Sequence, residues 1–376
     1  MRFTQVLVDA APDDAVTCAA LEIDRIVAPV AETSIRAATV DPAMTSAVVP
    51  LDAAQDAPPP SGEDVVLLHA SVGRPDLARW LEGRPDRLVI LDHGAPPARW
   101  FDPLDRDLAD DLRLGRNQLS ALKERAVLAL AVSESSAAEL ALLGFDDVRV
   151  CPPVFDPLAL VRTHPDPSTN HHFHEAVTGP VMLFVGQLLP HQRIDWLIEA
   201  YFMLITYLVP EAHLIVAGPS PLPAYRETLQ TFTDELNLNR LWLTGRPSAS
   251  ALAAYYGRAD VVVSASEHDQ TGSALLQAMA FAVPVVARRL GAIPETVGDA
   301  GILLDPSDRP GVCAEVLAEL FADPVVTSTA ALRGALVERG KRRIERVGPD
   351  GARANLRHHL GEVVPGLCDD HPGTGR

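Results

Sequence analysis

Two rhythms of apolar and polar positions alternate along the chain. Short, mostly apolar runs (FTQVLVD, DVVLLHA, RLVILDH, LALAV) are separated by longer stretches with helical spacing, among them TCAALEIDRIV, residues 105–125 and SAAELALLGF. Nearly continuous apolar runs suit strands buried on both faces, and helices between them force parallel pairing through right-handed crossovers. Residues 1–160 therefore predict a doubly wound α/β domain.

The rhythm stops over residues 161–178, RTHPDPSTNHHFHEAVTG, which read as a linker. It resumes with GPVMLFVGQ, RIDWLIEAYFMLITYL, AHLIVAGPS, LWLTGR, DVVVSAS, GSALLQAMAFA, VPVVAR and GILLDP, predicting a second α/β domain over 179–346. Helical stretches follow near 308–322, 328–346 and 350–362. The segment 347–362 has no strand of its own to follow, and residues 363–376 read as a polar, disordered tail. Two open parallel sheets gather their carboxyl strand ends around a crevice, where ligands of such sheets bind.

Composition narrows the choice of partner. The chain has 376 residues, 47% of them hydrophobic, enough for two cores. Its formal charge of −18 excludes non-specific nucleic-acid binding and a polybasic membrane anchor, both of which need a positive surface. Cys18, Cys151, Cys313 and Cys368 form no CxxC pair, so neither a zinc site nor a disulfide framework is signalled. The start, MRFTQVLVDAAPDD, has no signal pattern and no apolar run is long enough to span a bilayer, so a cytoplasmic location is expected.

Polar residues collect where the second domain's strands end. In SEHDQTGSALLQAMAFAVPVV, Gly272 and Ser273 open a helix whose first amides attract anions, although a simple cap explains them equally well. Asp269 and Gln277 flank that helix start. His69 and His93 end strands of the first domain and suit either a ligand contact or a strand cap. The HHFH run at 171–174 has no carboxylate or thiolate partner on a rigid element, so no metal is expected there.

This stretch resembles the Glu-x7-Glu segment of the family-4 retaining glycosyltransferases. FVGQLLPHQRIDWLIEAY, LTGRPSASALAAYYGRADVVVSAS and Gly291-Ala292-Ile293-Pro294-Glu295 are similar to further motifs of that family, and the likeness extends over residues 1–360. It implies the GT-B fold, with two Rossmann-like domains facing each other across a cleft and the last helix returning to the first domain. It implies no cofactor beyond a nucleotide-sugar donor substrate, no metal, and a glycan or lipid-linked acceptor. By position, Asp269 and His93 take the catalytic roles. Gly186, Gln187, Gln192, Gly272, Ser273, Gln277 and Asp13 take the donor-binding positions.

The departures from that pattern concern charge. Gln187 and Gln192 stand where the family carries the Arg and Lys that neutralise the diphosphate, and Gln277 stands for its second Glu. Asp269 is one methylene shorter than the first Glu, and Asp13 puts a carboxylate where a Gly faces phosphate. Preorganised charge is usually the largest catalytic contribution. Arg193, Arg246, Arg288 and Arg289 are the nearby cations that could substitute. Two readings follow: a working transferase with a modified donor site, or an inactive one that keeps the fold and serves as binding or scaffolding partner of an active transferase. An epimerase of the same fold fits the opening pattern less well.

Overall fold

The computed structural model describes residues 1–12, 14–53, 59–322 and 329–368, with backbone only for 172–175 and 329. It divides into two compact units, Met1–Val154 with Pro349–Arg376, and Phe155–Gly348.

In the first unit the strands are β1 (Arg2–Ala10), β2 (Glu32–Val40), β3 (Val49–Pro50), β4 (Val65–Ala70), β5 (Arg87–Asp92), β6 (Ala126–Ala131) and β7 (Val148–Val150). All pair in parallel in the order β3-β2-β1-β4-β5-β6-β7. Their connections carry the helices α1 (Ala15–Val27), α2 (Pro75–Leu81), α3 (Arg106–Ala121) and α4 (Glu134–Leu142). Burial on both faces explains the apolar runs: Val65, Val66 and Leu67 in β4 are fully buried. Helix starts are fixed by side-chain caps from Asp14, Asp105 and Ser133, each contributing about 1 kcal/mol.

The second unit begins with α5 (Pro167–Ala176) and then alternates β8 (Val181–Val185), α6 (Ile194–Tyr207), β9 (His213–Ala217), α7 (Pro223–Glu235), β10 (Leu241–Gly245), α8 (Ala249–Arg258), β11 (Val261–Ser264), α9 (Ser273–Ala280), β12 (Val285–Arg288), α10 (Ile293–Val297) and β13 (Ile302–Leu304). Helices α11 (Pro310–Phe321) and α12 (Thr329–Arg346) close it. Its strands are parallel in the order β10-β9-β8-β11-β12-β13. In both sheets the direction of winding reverses once, between β1 and β4 and between β8 and β11. Such reversals leave the connections on opposite faces and open a crevice at the strand ends.

Two expectations need correction. Residues 167–176 of the supposed linker are helical, because Asp166 accepts hydrogen bonds from the Thr169 amide (2.8 Å) and hydroxyl (2.7 Å), with Pro167 opening the turn. Leu160 and Val177, on either side, belong to the second core. The chain after residue 362 is likewise no free tail as far as it is described. Helix α13 (Pro349–Leu360) buries Leu356 and Leu360 against Phe3, Ile23 and Val27, and Val363, Val364 and Leu367 extend the same apolar face. Each such side chain contributes about 1.5–3 kcal/mol relative to exposure, which outweighs the polar composition around it. Residues 369–376 lie outside the described residues.

Candidate functional site

The loops at the ends of β8 and β11 are built on close backbone contacts. A Cβ on Gly218 would lie 1.8 Å from the Gly186 carbonyl oxygen, so the turn after β8 requires glycine at 218. A Cβ on Gly291 would lie 2.5 Å from the Asp269 oxygen, and the Ala292 amide donates to that same oxygen at 2.7 Å. Gly272 is left-handed (φ 59°), and a Cβ there would meet Thr296 at 2.6 Å. The local fold alone therefore accounts for this glycine.

The Asp269 carboxylate shapes the same loop. Its Oδ1 accepts from the amides of Thr271 (3.0 Å) and Gly272 (2.7 Å), while among the described residues Oδ2 has no partner. The Ser273 and Ala274 amides likewise have no acceptor among the described residues, as expected at a helix start. Ser273 itself does not cap α9. The buried Tyr256 hydroxyl has two acceptors for its one proton, the Ala274 carbonyl at 2.9 Å and Gln277 Oε1 at 3.0 Å, and the Gln277 amide nitrogen has no partner among the described residues.

Gln187 is exposed after β8, and Gln192 is half-buried with Nε2 at 3.4 Å from His191 Nε2. The neighbouring cations are engaged internally. Arg193 donates to Asp195 (3.1 Å) and to Glu267, and Arg288 donates to the same Glu267 oxygen (3.1 Å) and to the Pro306 carbonyl (2.8 Å). Glu267 and Asp195 together thus balance the two arginines. Arg246 and Arg289 are exposed. Beneath the loop, His191 and His268 meet edge to face with centroids 6.1 Å apart, and burial, with His268 adding to it, pushes His191 down to about 3.

At the strand ends of the first unit, His93 Nε2 lies 2.9 Å from His69 Nδ1, and His69 Nε2 lies 3.0 Å from Gln5 Oε1. Gln5 Nε2 donates to the Ala20 carbonyl at 2.8 Å. Burial keeps both rings in the neutral form; His93 is lowered to about 4, against a smaller opposing pull from Asp14, and His69 is lowered well below the ordinary histidine value by burial, with His93 adding to it. Gln5 was not among the sequence candidates. Its signal was a glutamine inside the apolar strand FTQVLVD, a polar side chain that needs a buried partner. Asp13 lies outside the described residues; Asp14 beside it caps α1 by accepting from Thr17 N at 2.8 Å.

Among the described residues, one cluster could gather around a metal: His358, His359 and Glu362 on and after α13. Glu362 is already paired with Arg149, which competes with a cation there. Of the HHFH run, His171 is exposed and the side chains of 172–174 lie outside the described residues.

Residues 179–323, which include all the loops around β8 and β11, match the family Glycosyl transferases group 1. The second unit carries a group 1 glycosyl transferase domain. The chain is 32% identical over 188 residues to the D-inositol 3-phosphate glycosyltransferase of Corynebacterium efficiens, covering 47% of this chain and 43% of that protein. It is 32% identical over 177 residues to the GDP-mannose-dependent alpha-(1-6)-phosphatidylinositol monomannoside mannosyltransferase of Mycolicibacterium smegmatis, covering 43% and 45%. The match thus spans less than half the length of these curated relatives. The fold of the chain is of GT-B type, two Rossmann-like units. It superposes on Anabaena Alr3699/HepE in complex with UDP-glucose with a TM-score of 0.72 at 16% identity, covering 96% of this chain and all of that one. For WaaG, a glycosyltransferase involved in lipopolysaccharide biosynthesis, the TM-score is 0.67 at 13% identity, covering 97% and 100%. Among the described residues no helix is long and apolar enough to cross a membrane.

Proposed function

We propose that this chain is a nucleotide-sugar-dependent retaining glycosyltransferase that moves a hexose, without a metal, to a glycan or lipid-linked acceptor in the cytoplasm. The observation that carries this reading is the loop at the β8–β11 reversal. There Asp269 Oδ2, the Gln277 amide nitrogen and the Ser273 and Ala274 amides have no partners among the described residues around a glycine-built turn. These groups suit a ligand with hydroxyls and a phosphate: the amides meet phosphate oxygens, Asp269 accepts from a sugar hydroxyl, and Gln277 donates to the ribose. The segment lies within the residues that match the family, 179–323, and the relatives include a GDP-mannose-dependent mannosyltransferase.

One observation favours the second reading, an inactive binding or scaffolding partner of an active transferase. Glu267 and Asp195 pair with Arg193 and Arg288, and Gln187 and Gln192 bring no charge, so the diphosphate lacks the cations that would stabilise it as a leaving group. Calorimetric titration with UDP, GDP and their sugars, followed by a donor-hydrolysis assay, separates the two. Saturable binding with slow hydrolysis supports the transferase. Absence of binding at millimolar nucleotide-sugar sinks it and leaves the partner role.

A further inference from the structure

The chain of polar groups running from α1 to the end of β5 has an order that can be deduced atom by atom. The Ala20 carbonyl can only accept, so Gln5 must turn its amide nitrogen toward it, and this aims Oε1 at His69. An amide oxygen can only accept as well. His69 must therefore carry its proton on Nε2, which makes its Nδ1 an acceptor. Nδ1 faces His93 Nε2 at 2.9 Å, so His93 in turn must carry its proton on Nε2. One ring nitrogen remains: His93 Nδ1, a lone pair on a partly exposed ring with no partner among the described residues.

The ring geometry agrees with this order. The two imidazoles lie within 12° of parallel with centroids 5.1 Å apart, a separation that matches two ring radii plus the hydrogen bond. They are therefore set end to end in nearly one plane rather than face to face. The three residues sit on neighbouring strands of one sheet: Gln5 in β1, His69 in β4, and His93 just after β5, where its amide donates to the Ala70 carbonyl. The chain ends on an amide where a catalytic histidine chain would end on a carboxylate. Glutamine cannot take a proton, so it fixes the rings without making His93 a stronger base.

We propose that Gln5 and His69 are positioning residues that lock His93 as the Nε2–H tautomer, so that its Nδ1 presents a fixed acceptor to a hydroxyl of a sugar-type ligand at the strand ends of the first unit. The ligand class rests on the glycosyltransferase reading; the tautomer does not. The acceptor discriminates by chemistry: it rewards a donor such as a hydroxyl and rejects a bare phosphate oxygen or carboxylate, whose lone pairs would face its own.

The test is long-range 1H–15N spectroscopy of the full chain labelled at histidine, at pH 7.5, with assignments from His93→Gln and His69→Leu. The expected result is a single neutral tautomer for both rings, with the proton on Nε2. A proton on His93 Nδ1, or an average of the two tautomers, overturns the proposal. Gln5→Leu should let His69 turn over and bring the His93 tautomer ratio from above tenfold to near one. Gln5→Glu, which keeps the acceptor, should restore the single form. A folded Gln5→Leu protein with an unchanged His93 signal also overturns it. Titrating UDP-glucose and GDP-mannose then separates the two layers. Binding that moves the His93 Nδ1 resonance supports the hydroxyl contact, and binding that leaves it unmoved overturns that contact. If neither nucleotide-sugar binds while the tautomer is as expected, the glycosyltransferase reading falls and the positioning role of Gln5 and His69 stands.

Discussion

The strand ends of the two sheets carry similar residues and spend them differently. In the first unit, His69 and His93 are joined end to end by a hydrogen bond, and the chain from Gln5 leaves one nitrogen lone pair available. In the second, His191 and His268 meet edge to face, and the nearby charges of Arg193 and Arg288 share Glu267, with Asp195 also on Arg193. Burial lowers the pKa of His69 and His93 in the first unit and of His191 in the second. In the first, the hydrogen bonds back to Gln5 and Ala20 also fix the direction of the rings. A pair of polar residues at a strand end therefore means little until its hydrogen bonds are followed to the last atom.

The sharpest way to break this comparison is to remove one ring from each pair. His69→Leu leaves Gln5 Oε1 and the His93 Nε2 proton buried without partners, and each such group costs about 1–3 kcal/mol. We expect a loss of about 3 kcal/mol in urea unfolding for His69→Leu and about 1 kcal/mol for His191→Leu, where an apolar group of similar size takes the space. Equal losses would mean that the two pairs are the same kind of packing.

Asp269 tests whether the second site is shaped by charge or by hydrogen bonds. Asp269→Ala removes the acceptor of two loop amides and should cost about 1–2 kcal/mol, whereas Asp269→Asn keeps an acceptor oxygen and should cost about a third of that. In a transfer assay both should fall well below Gln277→Ala, because the free Oδ2 is the remaining anionic contact. If Gln277→Ala hurts turnover as much as Asp269→Asn, Asp269 has no special role with the sugar.

Glu267→Gln removes the one carboxylate that Arg193 and Arg288 share, leaving Arg193 paired with Asp195 and, among the described residues, Arg288 hydrogen-bonded only to backbone carbonyls. Since a charge-assisted hydrogen bond is worth about 1.5–3 kcal/mol, affinity for UDP should rise about tenfold, read by calorimetry at two salt concentrations. Gln187→Arg with Gln192→Lys should give a comparable gain by adding cations instead of releasing them. No gain from either would mean that the diphosphate does not lie where the family resemblance puts it.

The smallest expected effect is on pH dependence. His93, lowered to about 4, and His191, lowered to about 3, lie below the value near 6.5 that each has in an unfolded chain. As pH falls below about 6.5 the unfolded chain takes up these protons while the folded one does not, so stability drops between about pH 6.5 and pH 4. Each histidine should contribute a slope of about 1 kcal/mol per pH unit. His93→Gln and His191→Gln should flatten the curve by similar amounts, because the cause is burial in both. A slope that survives both substitutions would assign the effect to other groups.

Much of the fold was legible because parallel strands buried on both faces write themselves as apolar runs; VVLL in β4 and VVVS in β11 leave little ambiguity. The linker was misread because its Pro, Ser, Thr and Asn are the residues of a helix start, which composition does not distinguish from a loop. Of the site, the residues on loops were legible as types but not as partners. Nothing in the spacing says that Glu267 would reach both Arg193 and Arg288, since these meet from three separate segments. Gln5 was hidden for the opposite reason: it lies in the most strand-like segment of the chain, where a single polar side chain reads as an exposed position.

The return of α13 to the first unit also sets an order of events at the ribosome. The second unit is one unbroken stretch, but the first is interrupted after Val154 and resumes only at Pro349. At about 5–20 residues per second, translating the intervening 190 or so residues takes roughly 10–40 s. Through that interval Phe3, Ile23 and Val27 wait for Leu356, Leu360, Val363, Val364 and Leu367, which emerge only after the second unit. A nascent chain therefore passes through a stage in which its later half is able to fold while its earlier half still shows a bare apolar face, the kind of surface that chaperones bind and that a premature stop codon near residue 348 would leave permanently uncovered.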